Sequence, residues 1–345
     1  MSLPLTQPFL PMEALSAREV PRGANWQYEP KWDGFRCLAF RDGETVELQS
    51  KAGQPLTRYF PEMVEAARAL KARKFVLDGE IVIPVKGGLS FDDLLQRIHP
   101  AESRVRRLSA ETPAIFVVFD ILADERGKSL VQAPLRERRR NLEAFAAEYF
   151  PANGRVRLSP ATPNVEVAQG WFRRMGGGLD GIIAKNLDSV YEAGERTGSM
   201  QKIKEQRTAD CVVGGFRYAS KGKLVGSLLL GLYDDAGLLQ HVGFTSAIRK
   251  DQKKALTSKL EKLIQPPGFT GRAPGGPSRW STDHSTEWQP LRPELVVEVG
   301  YDHFTGGRFR HGTRFLRWRP DKAPEQCRME QVERESRSPL GLLAS

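Results

Sequence analysis

A chain of 345 residues exceeds the usual size of one domain, so two domains are expected, each able to bury a core. Hydrophobic content of 40% fits a globular protein, no apolar run approaches the roughly 20 residues that span a bilayer, and Met1 to Leu10 lacks a signal-peptide pattern, so a soluble cytoplasmic protein is expected. The 52 Lys and Arg against 42 Asp and Glu leave a net charge of +10, which favours a polyanionic partner because neutralised phosphates release counterions.

After an extended, Pro-rich opening, Tyr28 to Leu48 alternates apolar and polar residues, as paired strands with a turn at Arg41-Asp42-Gly43 would. Pro61 opens a helix with Met63, Ala66, Ala67 and Leu70 on one face, and Phe75 to Ile83 and Ile115 to Leu122 read as strands. Pro134 starts a further helix, whose Arg138, Arg139 and Arg140 read as a solvated face. Val165 to Met175 is predicted as a helix stopped by Gly176-Gly177-Gly178, feeding the strand Gly181 to Lys185.

Beyond a boundary near Gln206 the texture changes to short strands, Val212 to Tyr218, Gly226 to Tyr233 and Gln240 to Phe244. A helix over Lys250 to Ile264 and a Gly- and Pro-rich loop to Pro277 precede two more strands, Leu295 to Tyr301 and Thr313 to Trp318. This pattern predicts an α+β chain in two domains, residues 1–206 with antiparallel sheets and helices, then residues 207–345 as a small Greek-key barrel of the oligonucleotide-binding (OB) kind with a short tail.

One stretch stands out. Lys31-Trp32-Asp33-Gly34-Phe35-Arg36 frames a lysine with a carboxylate, a glycine and a guanidinium, the setting of a covalent nucleophile, which attacks only as the free amine. Lys202 and Lys204 alternate along an extended segment, so both ammonium groups point one way and can hold a phosphate; an edge strand facing solvent would also explain them. Asp78-Gly79-Glu80 and Asp180-Gly181 are turns or, taken together, acidic ends able to hold a hard divalent ion. Phe119 supplies an aromatic face or a core side chain. The run Arg308 to Lys322 interleaves basic and aromatic residues, as a strand facing phosphates does. Cys37, Cys211 and Cys327 form no Cys-x-x-Cys pair, and His99, His241, His284, His303 and His311 have no metal-ligand spacing, which argues against a disulfide framework and a zinc site.

In this order the set resembles the covalent nucleotidyltransferases, specifically ATP-dependent DNA ligases of the bacterial ligase C group, close to the ligase domain of ligase D. Lys31 to Arg36, Ser50-Lys51-Ala52-Gly53, Asp78-Gly79-Glu80, Phe119-Asp120, Asp180 to Lys185, Lys202-Ile203-Lys204 and Arg317 to Lys322 look like the family's successive motifs. There are two departures. Lys51 stands where the family has arginine and Asp180 where it has glutamate.

The resemblance implies that Lys31 takes AMP from ATP, passes it to the 5′-phosphate of nicked duplex DNA, and that the 3′-hydroxyl then displaces AMP, as in repair, recombination or replication. It further implies Glu29 and Phe119 at the adenine, Arg36 and Glu80 at the ribose side, and Lys51 and Lys185 in the nucleotide site. Lys202 and Lys204 would hold the α-phosphate, Glu80 and Asp180 a Mg2+ or Mn2+ ion, and Arg317, Arg319 and Lys322 the departing pyrophosphate. A monomer is expected. So is a weak, salt-sensitive grip on DNA through both domains and the loop 265–279, no separate DNA-binding domain preceding Lys31. An RNA ligase or GTP-using capping enzyme would share these residues, and a noncatalytic nucleic-acid-binding OB protein would share the barrel; degeneration to the latter would have removed the lysine or the carboxylates, which are present.

Overall fold

The computed structural model describes residues 3–86, 88–175, 179–204, 207–220, 222–246, 248–275, 287–310, 312–332 and 338–343. The expected glycine helix stop, the boundary at Gln206, His284, His311 and the last part of the loop 265–279 lie outside these residues. Two compact units result, Met1–Lys204 with Ser336–Ser345, and Glu205–Glu335.

The first unit opens with strands β1 (Glu13–Ser16), β2 (Trp26–Lys31), β3 (Phe35–Asp42) and β4 (Thr45–Ser50), then helix α1 (Pro61–Ala69). Strand β5 (Lys74–Val82) and the small hairpin of β6 (Pro84–Val85) and β7 (Gly88–Leu89) lead to α2 (Phe91–Arg97) and α3 (Glu102–Glu111). Then come β8 (Ile115–Ala123), α4 (Leu135–Tyr149), β9 (Val156–Leu158), α5 (Val165–Met175), β10 (Gly181–Asn186) and β11 (Arg196–Ile203). These strands build a four-stranded sheet, β1-β11-β10-β2, and a five-stranded sheet, β4-β3-β5-β8-β9.

The lysine motif crosses from one sheet to the other. Lys31 ends β2 while Arg36 lies in β3, so Tyr28 to Leu48 is not one run of paired strands: β3 pairs with β4 through a turn with Gly43 at φ +63°, and β2 pairs with β10. Alternation with period two then sorts the side chains. Cys37 and Ala39 of β3 join the core under α1 and α4, whereas Leu38 and Phe40 join Val76 and Met200 between the sheets. On the four-stranded sheet Tyr28, Ile182 and Ala184 pack against Ala168 and Trp171 of α5. Glu29, Lys31 and Lys185, the odd residues of those strands, therefore occupy the opposite face.

Sequence periodicity missed α2 and α3, in which Leu94 and Val105 are the buried apolar residues, so neither carries an apolar stripe. Polar contacts anchor α2 instead: Arg97, fully buried, donates to Glu62 Oε2 at 2.7 Å and lies over the Phe60 ring. The arginine triplet of α4 also departs from the expected solvated face. Arg138 and Arg139 are 2% and 7% exposed, and only Arg140 faces outward. Arg138 donates to both carboxylate oxygens of buried Asp120, at 2.9 and 3.2 Å, and to the Ala133 carbonyl.

In the second unit β12 (Arg207–Tyr218), β13 (Val225–Tyr233), β14 (Leu239–Thr245), α6 (Lys253–Glu261), β15 (Gln289–Pro290) and β16 (Val296–Tyr301) precede the short β17 (Phe304–Thr305) and β18 (Arg308–Phe309), then β19 (Arg314–Trp318). Five strands follow the order β14-β13-β12-β16-β19, with β15 on β12, over a core that includes Val212, Leu228 and Val297. The tail expected to finish this domain instead belongs to the first unit, where Leu342 and Leu343 pack with Tyr28 and Trp171. Among the described residues no helix is long and apolar enough to cross a membrane.

Breaking a buried ion pair strands a charge, so Arg138→Ala should lower unfolding free energy by about 3–5 kcal/mol. Urea denaturation checks this; an unchanged midpoint would show that Asp120 does not depend on Arg138.

Candidate active site

The facing surfaces of the two sheets enclose a cavity of about 510 Å³ in the first unit. Lys31 lies on its wall with its ammonium against Asp180, whose second carboxylate oxygen takes Lys204 at 3.1 Å. Asp180 is not part of a turn standing free of the site: its backbone N–H donates to the Lys31 carbonyl, which fixes the carboxylate beside the lysine. Gly34 explains the glycine of the motif, since a Cβ there would run into the Ile81 carbonyl and the Glu80 side chain.

Other wall residues form tight polar pairs. Glu29, 2% exposed, accepts from Lys185 Nζ at 2.9 Å and from Gln27 Nε2 at 2.9 Å. Arg36 donates to both oxygens of fully buried Asp78, at 2.7 and 2.6 Å, and Tyr191 donates its hydroxyl to the same carboxylate at 2.6 Å. Asp78-Gly79 is thus strand interior, not a turn. The Phe119 ring faces the cavity, with Arg36 Cζ 4.9 Å and Lys185 Nζ 4.7 Å from its centre. Burial pushes the Glu80 carboxyl up to about 7, against the pull of Lys31 and Arg36. Burial lowers the Lys202 pKa, helped by the charges of Lys31 and Arg196.

Sequence reasoning missed Glu13, which the Pro-rich opening concealed. It lies in β1, pairs with Arg196, and accepts from Lys51 Nζ at 3.0 Å, so it ties Lys51 to the cavity rim. Arg196 first and Lys51 second hold its carboxyl down at about 2. Tyr191 was missed as well, because an isolated tyrosine in a loop carries no periodic signal.

The closing basic residues belong to the second unit. Arg317 donates to Glu298 Oε2 at 2.6 Å, while Arg319 and Lys322 share Asp210, at 2.8 and 2.7 Å to its two oxygens. Arg319 also grips Asp321, at 3.0 and 2.8 Å, and holds that carboxyl down at about 2. Among the described residues no group of three or more His, Cys, Asp or Glu side chains could hold a metal ion by itself.

A lysine on a cavity wall that other cations also line suits nucleotidyl transfer, and comparison with known proteins identifies the family. A model of the ATP dependent DNA ligase domain matches residues 11–204, and one of the ATP dependent DNA ligase C terminal region matches residues 221–322. The chain belongs to the ATP-dependent DNA ligases. It is 44% identical to DNA ligase C2 of Mycolicibacterium smegmatis, with 96% of each chain covered. It is 29% identical to the multifunctional non-homologous end joining DNA repair protein LigD of Mycobacterium tuberculosis, over 88% of this chain and 37% of that one. A solved structure of a Lig E DNA ligase, 16% identical, covers 89% of this ligase and 98% of its own chain with a TM-score of 0.55, a likeness of fold. The ligase accordingly has a mixed α/β, two-domain fold of the nucleotidyltransferase kind and uses ATP to join DNA.

Because the folded state holds Glu13 at about 2 against 4.5 unperturbed, its contribution to stability is complete above pH 4.5 and disappears as pH falls towards 2. The stability difference between the ligase and Glu13→Gln, followed by denaturation at several pH values, should shrink over that window. A difference independent of pH would show that its pairing with Arg196 and Lys51 contributes nothing.

Proposed function

We propose that Lys31 is the nucleophile of this ligase, on one observation above all: it ends β2 at the wall of the cavity, held by a carboxylate that also holds Lys204. As the free amine, Lys31 Nζ attacks the α-phosphorus of ATP, the bond between that phosphorus and its bridging oxygen to the β-phosphate breaks, and pyrophosphate leaves. Its proton goes to solvent or to Asp180, the carboxylate in contact with it. Catalysis rests mainly on positioning and on charge placed where the phosphates lie.

The remaining roles are proposed from the residues that line the cavity. Phe119 offers its ring to adenine and Glu29, fixed by Lys185, borders the same end; Arg36, fixed by Asp78 and Tyr191, and Glu80 face the ribose. Lys202 and Lys204 take the α-phosphate, and Lys51 sits at the rim. Glu80 and Asp180 are hard oxygen donors of the type that bind Mg2+ or Mn2+ together with substrate phosphates, and such an ion offsets phosphate charge when bound. Two protein carboxylates suffice for this, in keeping with the lack of a self-contained metal cluster among the described residues.

The second unit is read as an OB barrel whose Arg317, Arg319 and Lys322 bind the pyrophosphate during adenylation. Support comes from the two outer strands of its sheet: Thr313, next to β19, donates its N–H to the Phe244 carbonyl of β14 at 3.1 Å, and Thr245 Oγ1 donates to the Thr313 carbonyl at 3.0 Å. The adenylate then passes to the 5′-phosphate of a nick, and the 3′-hydroxyl displaces AMP. A monomeric cytoplasmic enzyme of DNA repair completes the proposal, the last part in line with the name of the LigD relative.

Lys31→Ala should transfer no label from α-labelled ATP to protein and seal no nicks, yet still join DNA that is already adenylated. The unmodified ligase should label with ATP and not GTP, and prefer nicked DNA to nicked RNA. Label on the Lys31→Ala protein would overturn the nucleophile assignment, and equal use of GTP would overturn the adenine site.

A further inference from the structure

We infer that Asp210 is a positioning residue for the closing cations: its carboxylate, gripping Arg319 with one oxygen and Lys322 with the other, presets them as a two-pronged anion clamp. The inference rests on the reading of Arg319 and Lys322 as pyrophosphate contacts.

Two like charges brought near one another repel, so an open pair must be held by an anion or drift apart. Asp210 supplies that anion with little freedom of its own. It is 8% exposed, and its backbone N–H donates to Gln331 Oε1 at 3.0 Å while Gln331 Nε2 donates back to its carbonyl at 3.2 Å, which clasps this edge of β12. Across the sheet Asp210 pairs in register with Glu298, and Glu298 with Arg317 of β19. Two neighbouring carboxylates thus carry three cations, and Arg319 takes a further carboxylate, Asp321, from its own loop. Each oxygen of Asp210 meets a different cation, as two oxygens of one phosphate would. An ion pair serving stability alone needs just one of these contacts.

The test compares Asp210→Asn and Asp210→Glu with Arg319→Ala and Lys322→Ala, all in the full chain. Three readouts are needed: single-turnover formation of the protein adenylate, its reversal by added pyrophosphate, and joining of nicked DNA carrying a preformed adenylate. Asp210→Asn should slow adenylation by roughly ten- to a hundredfold, the range for partners that hold a direct contact in place. It should also raise the pyrophosphate needed for reversal and leave joining of preadenylated DNA within about twofold. Asp210→Glu should recover part of the loss. Normal adenylation by Asp210→Asn, with Arg319→Ala or Lys322→Ala impaired, would overturn the positioning role while keeping the reading of the clamp. Equal loss in all three readouts, with a lowered melting temperature, would make Asp210 a folding residue only. Normal adenylation by both Arg319→Ala and Lys322→Ala would remove the reading of the clamp and the role of Asp210 together.

Discussion

The Asp180 carboxylate, shared by Lys31 and Lys204, is the contact on which the first unit's site depends. Three stretches of chain meet there: the end of β2, the residue preceding β10 and the residue following β11. Sheet register makes the meeting unavoidable, because β10 pairs with β2 on one side, Gly181 opposite Lys31, and with β11 on the other, Ile182 opposite Ile203. Anything that shifted one strand by a residue would turn the lysines to the α5 face and lose the site.

Most of the cations proposed to act have a carboxylate partner. Arg36 has Asp78, Lys185 has Glu29, Lys51 has Glu13, Arg317 has Glu298, and Arg319 and Lys322 have Asp210. Such pairing fixes long, flexible side chains ahead of time, so the ordering cost does not fall on nucleotide binding. The pairing is not one to one. Lys31 and Lys204 share one carboxylate; in the second unit Arg319 and Lys322 share Asp210, and Arg319 also binds Asp321.

Much of this was legible in the sequence where two regularities coincide. Strand-forming runs located β5, β8 and β10 to within a few residues and β12 from its middle onward, and alternation put Lys202 and Lys204 on one side, because period two is a property of the backbone. Sheet membership was not legible: Lys31 and Arg36 lie five residues apart in different sheets, and only long-range pairing decides that. The partner carboxylates Glu13, Asp210 and Glu298 were invisible for the same reason, since each pairs with residues far away in the chain. Arg138 and Arg139 misled because composition treats arginine as a surface residue, while a guanidinium that meets a buried carboxylate or carbonyl can lie inside. Polar anchoring through Arg97 likewise hid α2 from any search for apolar periodicity.

The central claim is that one amine becomes the carrier of AMP, and its most direct test is where that AMP is found. The intact ligase, treated with ATP and a divalent ion and then digested under conditions that spare a P–N bond, should show a single added adenylate, located by fragment masses at Lys31. Adenylate on Lys202, on Lys204 or on no lysine at all would contradict the account.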